Sequence, residues 1–236
     1  MRILRRLLWA WWTVVRDPRR IEGKEFSLGF MLAVWFYLGF LYSTLHYFLY
    51  PEYVEEFHAG SEFWLHSLYG GTSGVAGFLM AGAGGYLGLR LLRVRTSYGR
   101  WENLLFPTGF FLFLFPLLTG VLFRLTGLIG PAGEMISFPF PFLPKRVTGC
   151  VLVTMGVGVL LFLRIFRSLG LDPKGLVVMA LSIPAFYLLA EKAFFLFVEK
   201  VLFPLGFVTP SAQYLGGIGW GLLEGGVAWA IRKNLK

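Results

Sequence analysis

Apolar runs of about 20 residues alternate along the chain with short charged pieces or pieces rich in proline and glycine. A helix of that length crosses the hydrocarbon core of a bilayer. The pattern therefore predicts an all-α fold, a polytopic transmembrane helical bundle that forms a single domain over residues 21–236. The six predicted spans cover residues 26–50, 64–89, 104–125, 147–163, 175–197 and 213–231.

Residues 1–20 predict an amphipathic helix that lies in the membrane interface. A cleaved signal peptide would carry small residues after its apolar run, whereas Arg16, Asp17 and Pro18 follow here, and Pro18 ends the helix. The basic side is expected to contact anionic lipids at the cytoplasmic face. The apolar side consists of Leu4, Leu8, Trp11 and Val15, and the basic side of Arg2, Arg5 and Arg6.

The placement of charge orients the predicted bundle. The chain is 56% hydrophobic and 15% charged, with a formal net charge of +9. Of its 22 Lys and Arg residues, 17 fall in the N-terminal segment, in alternate loops and in the C-terminal tail. This asymmetry predicts an integral protein of a prokaryotic plasma membrane with both termini in the cytoplasm. Because the positive charge follows topology in this way, no nucleic-acid partner is expected.

Small residues recur at helical spacing in the second and sixth predicted spans. Glycine at this spacing lets two helix backbones approach closely in a membrane, where the hydrophobic effect does not drive helices together. Each of the two spans is therefore expected to have a close neighbour, either the other span or another membrane subunit, including a second copy in a homodimer. The residues concerned are Ser73, Gly77, Ala81 and Gly85 in the second span, and Gly217, Gly221 and Gly225 in the sixth.

Glu224 lies in the middle of the sixth predicted span and borders its small-residue side. A charged carboxylate near the bilayer centre costs several kcal/mol unless it is paired or hydrated. Three interpretations stay open: a neutral acid that hydrogen-bonds a neighbouring helix, a carboxylate in a water-filled cavity, or a carrier of protons or binder of cations. Lys192 and Arg124 both lie nearer the outer face, so neither is an obvious partner.

The sequence carries few patterns typical of catalysis, and the protein is not expected to be an enzyme. The segment around Ser73 resembles the GxSG turn of rhomboid proteases, but those enzymes need a later histidine as the base, and every histidine here precedes Ser73. The single cysteine, Cys150, excludes a multi-cysteine metal site. His46 and His66 are candidate ligands of a haem b near the outer face, although the sequence favours interfacial histidines beside an acidic loop, without any cofactor.

The order of these features resembles the Yip1 family of polytopic membrane proteins over about residues 7–190. A cytoplasmic lead ends at Asp17 and Pro18, and a glycine-rich second span precedes the basic turn RTSYGRWENLLFP. The segment VLLFLRIFRSLGLDPKGLVVMALSIPAF is similar to the family's closing pair of helices. Family members usually have five spans, whereas this chain predicts a sixth that contains Glu224. The resemblance implies a non-catalytic protein that organises membranes or binds partners, and it carries over no catalytic residue.

Three functions therefore remain open from the sequence. The first is the non-catalytic membrane protein that the resemblance implies. The second is a proton- or cation-coupled transporter, or a channel component, that uses Glu224. The third is a membrane subunit of a redox complex, for which His46 and His66 are the candidate residues.

Overall fold

The computed structural model describes residues 2–49, 63–126, 135–136, 143–206 and 209–234, and it shows an all-helical fold. A 3₁₀ turn at Pro18–Arg20 follows the first helix, and a π-helical turn at Val198–Leu202 extends the sixth. Two short strands, β1 (Met135–Ile136) and β2 (Leu143–Pro144), pair antiparallel. The helices in chain order are α1 (Arg2–Arg16), α2 (Leu28–Leu49), α3 (Phe63–Leu91), α4 (Tyr98–Leu125), α5 (Lys145–Ser168), α6 (Pro173–Phe197) and α7 (Pro210–Asn234).

Each predicted span lies largely within one helix from α2 to α7, so the prediction of helices at these positions is confirmed. Within the described part of the chain, one helix is both long and apolar enough to cross a membrane: α2, whose 18 residues Leu28–Leu45 have a mean hydropathy of 1.6. Glycines lower the hydropathy of α3 and α7 without adding a polar side chain. The prediction of six membrane spans is therefore not confirmed by hydropathy and stays a prediction.

Helix α4 begins at Tyr98, earlier than its predicted start at residue 104. The hydroxyl of Ser97 accepts a hydrogen bond from the backbone N–H of Arg100 at 3.2 Å, as an N-cap residue does. Its carbonyl accepts the N–H of Trp101 at 3.1 Å. Glu102 precedes the predicted third span, and in the structure it lies in the second turn of α4.

The main core takes residues from each of the helices α1 to α6. The Trp101 ring stacks on Phe166 with 5.8 Å between ring centroids, and its indole N–H donates to the Gly82 carbonyl at 2.9 Å. Burial of each large apolar side chain contributes about 1.5–3 kcal/mol, so this region anchors the fold. Its most completely buried members are Ala10, Val14, Ile21, Met31, Leu89, Trp101, Leu104, Phe106, Ile165, Phe166 and Met179.

Helices α2 and α3 approach until their backbones touch. A Cβ added to Gly39 would lie 2.1 Å from the carbonyl oxygen of Gly70, and one added to Gly74 would lie 2.6 Å from the carbonyl oxygen of Trp35. Real Cβ atoms are not found so close to backbone oxygens. No residue with a Cβ atom therefore fits at positions 39 and 74 unless the two helices move apart. The close contact between α2 and α3 uses a different set of small residues from the stripe predicted on α3.

We expect Gly39→Ala to lower the free energy of unfolding by about 1–3 kcal/mol, because the added methyl group forces two helix backbones apart. Gly77→Ala is the matched control, since no atom outside its own helix backbone lies within 4 Å of the added Cβ. The control should be stabilised by up to about 1 kcal/mol, because alanine favours helix over glycine. Thermal unfolding of the purified proteins measures both effects, and equal destabilisation of the two variants would contradict the assigned contact.

Candidate functional site

The best-defined polar site joins the start of α4 to the end of α7. The guanidinium group of Arg232 donates two hydrogen bonds to Glu102, from Nε to Oε1 at 2.8 Å and from Nη2 to Oε2 at 2.9 Å. The side chain of Glu102 is 2% exposed and that of Arg232 is 14% exposed. This two-pronged geometry is the strongest form of Arg–carboxylate contact. It connects residues that are far apart in the sequence and fixes the end of α7.

Aromatic rings surround the ion pair. The Arg232 guanidinium lies 5.5 Å from the ring centroid of Tyr98, whose ring in turn packs 4.7 Å from that of Tyr86. The hydrogen bond to Glu102 raises the pKa of Arg232, which therefore keeps its charge. Burial, followed by the nearby Glu102 charge, raises the pKa of Tyr98 well above its usual range, so the phenol stays neutral.

The same turn of α4 holds the connection between α1 and α2. The side-chain carbonyl of Asn103 accepts the backbone N–H of Phe26 at 2.8 Å, and its amide nitrogen donates to the Gly99 carbonyl at 2.9 Å. Gly23 has a φ of +102°, and a Cβ there would lie 2.5 Å from the nitrogen of Arg100. The segment that carries Glu102 is thus attached to both the N-terminal and the C-terminal parts of the chain.

Glu224 finds a partner on its own helix. Its Oε1 atom accepts a hydrogen bond from the indole N–H of Trp220, one helical turn earlier, at 2.7 Å. The Trp220 ring lies 5.1 Å from that of Phe197 in α6. Glu224 is half-buried and follows Gly221, a buried residue on the side of α7 that packs against α3. A carboxylate at this position thus has a hydrogen-bond donor on its own helix.

The structure places the three glycines predicted on α7 along α3. A Cβ added to Gly217 would lie 2.6 Å from the ring of Tyr69, so no larger residue fits there without a shift. Cβ atoms added to Gly221 and Gly225 would make ordinary contacts, at 3.7 Å with Thr72 and at 3.5 Å with Leu79. The tight part of this contact is therefore at Gly217.

The four small residues predicted on α3 do not face a single neighbour. A Cβ on Gly85 would lie 2.4 Å from the Trp101 ring of α4, and Ala81 packs on the core. Gly77 has open space around it, and Ser73 is half-buried. The stripe on α3 is therefore divided between different surroundings, whereas the α7 glycines share one partner helix.

His66 packs against α7 near the start of α3. Its Nδ1 atom lies 3.1 Å from the hydroxyl of Tyr214, and the two rings meet edge to face at 5.4 Å. The side chain of His46 lies outside the described residues, and so does His58. No group of three His, Cys, Asp or Glu residues that could hold a metal occurs in the described part of the chain. Haem ligation by His46 and His66 stays a prediction.

The pairing of Glu102 with Arg232 was missed from the sequence, although a signal for it exists. The predicted topology places both residues at the cytoplasmic end of their helices, at the start of the third span and the end of the sixth. Opposite charges at equal depth are candidates for pairing.

No protein-family model matches this chain, and neither a curated protein nor a solved structure matches it. The similarity to the Yip1 family therefore stays a prediction from the order of sequence features.

We expect Arg232→Gln to reduce the free energy of unfolding by about 3–5 kcal/mol, because Glu102 is left as a buried charge without its cation. Lys233→Gln removes the same charge from the neighbouring, exposed position and should change stability by about 0.5 kcal/mol or less. Thermal or denaturant unfolding compares the two variants. If they unfold alike, the ion pair does not fix α7.

Proposed function

We propose that this chain is a non-catalytic integral membrane protein with six spans and both termini in the cytoplasm, and that it organises the membrane or binds partner proteins there. The single observation that carries the proposal is the long apolar surface of α5, α6 and α7. Their outward-facing side chains are exposed along helices long enough to cross a bilayer.

Helix α7 supports this proposal most clearly. Its inward side, with Gly217 and Ala228, packs on α3. Its outward side exposes five large apolar residues along the same helix: Leu215, Leu222, Leu223, Val227 and Trp229. Contact of such a side with water is unfavourable by about 25 cal/mol per Å² of apolar surface, whereas lipid chains impose no such cost. Soluble monomers rarely expose continuous apolar surface of this kind.

Helices α5 and α6 extend the apolar surface. Exposed side chains on α5 are Val157, Val159 and Leu160, and those on α6 are Val177, Val178, Leu181, Leu189 and Leu196. Lipid, a second copy of the chain or another membrane subunit would each cover such a surface. This is the property that a membrane organiser or partner-binding protein requires.

The state of the charged residues favours a structural rather than a catalytic use. Glu102, the one charged residue that is fully buried in the described part of the chain, and the largely buried Arg232 neutralise each other in a two-pronged pair. Arg232 also packs on the ring of Tyr98. A catalytic acid or base must exchange protons with a substrate, whereas this pair is held by packing and by two short hydrogen bonds.

A transporter or channel component that uses Glu224 is the second candidate. Glu224 is half-buried on α7, and its only hydrogen-bond partner in the described region is Trp220 on the same helix. An acid in this position is able to bind and release a proton without breaking a contact between helices. This observation favours proton coupling over binding of a large substrate.

The proposed topology predicts a specific labelling pattern. The background for the test is a chain in which Cys150→Ala removes the native cysteine. A cysteine introduced by Leu205→Cys should then react with a membrane-impermeant maleimide on intact cells. The reason is that Leu205 is exposed just beyond α6, on the side of the membrane predicted to lie outside. A cysteine introduced by Lys233→Cys, near the end of α7, should react only after lysis. Labelling of both sites in intact cells, or the reverse pattern, would refute the orientation.

Glu224→Gln separates the two functions. Glutamine keeps an oxygen that accepts the Trp220 N–H, so an organiser should keep its thermal stability and its co-purifying proteins. We expect that outcome, and we also expect liposomes containing the wild-type protein to show no proton uptake above protein-free liposomes under an imposed pH gradient. Uptake by the wild type that is lost in Glu224→Gln would instead establish the transporter.

A further inference from the structure

A cavity of about 420 Å³ lies between α1 and the beginning of α2. Two basic residues and one hydroxyl line it together with apolar side chains. The lining residues are Ile3, Arg6, Lys24, Phe26, Ser27 and Phe30. The cavity thus combines positive charge with an apolar wall, which is the combination that an amphiphilic anion requires.

The surroundings hold the lining groups in place. The Arg6 guanidinium lies 5.2 Å from the ring centroid of Phe26, and the backbone of Phe26 is itself bonded to Asn103 in α4. The rings of Phe26 and Phe30 stack with 5.6 Å between their centroids. The end of the cavity formed by Phe26 is therefore attached to the core. The side chains of Arg6 and Lys24 are exposed on the surface of the protein.

The nearest acid in the sequence is turned away from the cavity. Glu25 accepts the backbone N–H groups of Glu22 at 2.8 Å and Gly23 at 2.9 Å, so both of its carboxylate oxygens are used within its own turn. Glu25 is not among the residues that line the cavity. Arg6 and Lys24 thus give the lining a net positive charge.

Helix α1 lies on the body of the protein with a second apolar side left uncovered. Leu7, Ala10 and Val14 are buried against the core, whereas Leu4 and Trp12 are more than half exposed. An interfacial helix in this arrangement sinks its uncovered apolar side to about the level of the lipid headgroups. The cavity beside its first turns would lie at that same level.

We propose that this cavity binds an anionic phospholipid: Arg6 and Lys24 hold its phosphate group, and an acyl chain lies along Phe26 and Phe30. The assignment rests on the proposed membrane location. The rings of Phe26 and Phe30 would add nothing to the affinity for inorganic phosphate, whereas they would add to the affinity for a lipid with an acyl chain. A zwitterionic lipid would bring its own cation toward Arg6 and Lys24.

A second cavity supplies an internal comparison. It measures about 390 Å³, lies between α3 and α7, and is lined by Leu87, Val227, Ala230, Ile231 and Asn234. No charged residue is in that lining. It therefore offers an acyl chain a surface but offers a phosphate no cation, and we assign no selectivity for anionic lipids to it.

Native mass spectrometry of the full chain, released from nanodiscs of phosphatidylglycerol and phosphatidylcholine mixed equally, tests the assignment. We expect the wild type to retain one phosphatidylglycerol more tightly than phosphatidylcholine. The double variant Arg6→Gln with Lys24→Gln should bind that lipid about 25-fold more weakly, since each basic side chain near an anionic leaflet contributes about fivefold in affinity.

The double variant Arg167→Gln with Lys174→Gln is the control. It removes the same amount of charge from two exposed positions at the junction of α5 and α6, and it should retain the lipid like the wild type. Equal retention by all three proteins, or equal loss in both variants, would overturn the site. Displacement of the retained lipid by millimolar inorganic phosphate would show that the cavity selects the phosphate alone, which would overturn the lipid assignment.

Failure of the proposed function gives a different result from failure of the site. A protein that an alkaline carbonate wash releases from membranes is not an integral membrane protein, and the proposed function then fails. A protein that stays in the membrane while Arg6→Gln with Lys24→Gln retains phosphatidylglycerol normally refutes only the lipid site.

Discussion

The ion pair between Glu102 and Arg232 is the constraint on which the arrangement of α7 depends. A buried carboxylate and a buried guanidinium each require the other, because removing either leaves a charge without its counterion in a region of low dielectric constant. Glu102 is fixed independently, since its neighbour Trp101 is bonded to the Gly82 carbonyl of α3 and stacked on Phe166 of α5. Arg232 must therefore lie beside Glu102, and this contact fixes the position of the C-terminal end of α7.

This anchoring sets the register of α7 along α3. A shift of one helical turn moves every residue by about 5.4 Å along the axis. In one direction it would bring Gln213 under the ring of Tyr69, and in the other direction it would bring Gly221 there. A Cβ at Gly217 would already lie 2.6 Å from that ring, so only glycine is accommodated. The fit under Tyr69 therefore excludes the shift that brings in Gln213, and the ion pair excludes the shift that brings in Gly221. In the resulting register Tyr214 lies beside His66.

The positions of the helices were predictable because each depends on a local apolar run. The contacts between helices were not, since they depend on which helix becomes the neighbour. Gly77 belongs to a regular stripe, yet a Cβ added there would meet no atom of another described helix within 4 Å, whereas Gly39, which belongs to no stripe, meets the backbone of Gly70. The start of α4 was also predicted too late, because hydropathy excludes Glu102, and its cation lies at the far end of the chain.

The two acids near α7 show how differently a carboxylate can be accommodated. Glu102 lies at the end of its helix and is satisfied by a cation from another helix, so its charge holds the fold together. Glu224 lies in the middle of a predicted span, and the hydrogen bond that it accepts from Trp220 stays within its own helix. The first carboxylate therefore joins two helices by hydrogen bonding, whereas the hydrogen bond of the second joins none. An acid within a predicted span whose hydrogen bond holds no two helices together is where a functional role is best sought, and Glu224 therefore keeps proton coupling open as the second candidate function.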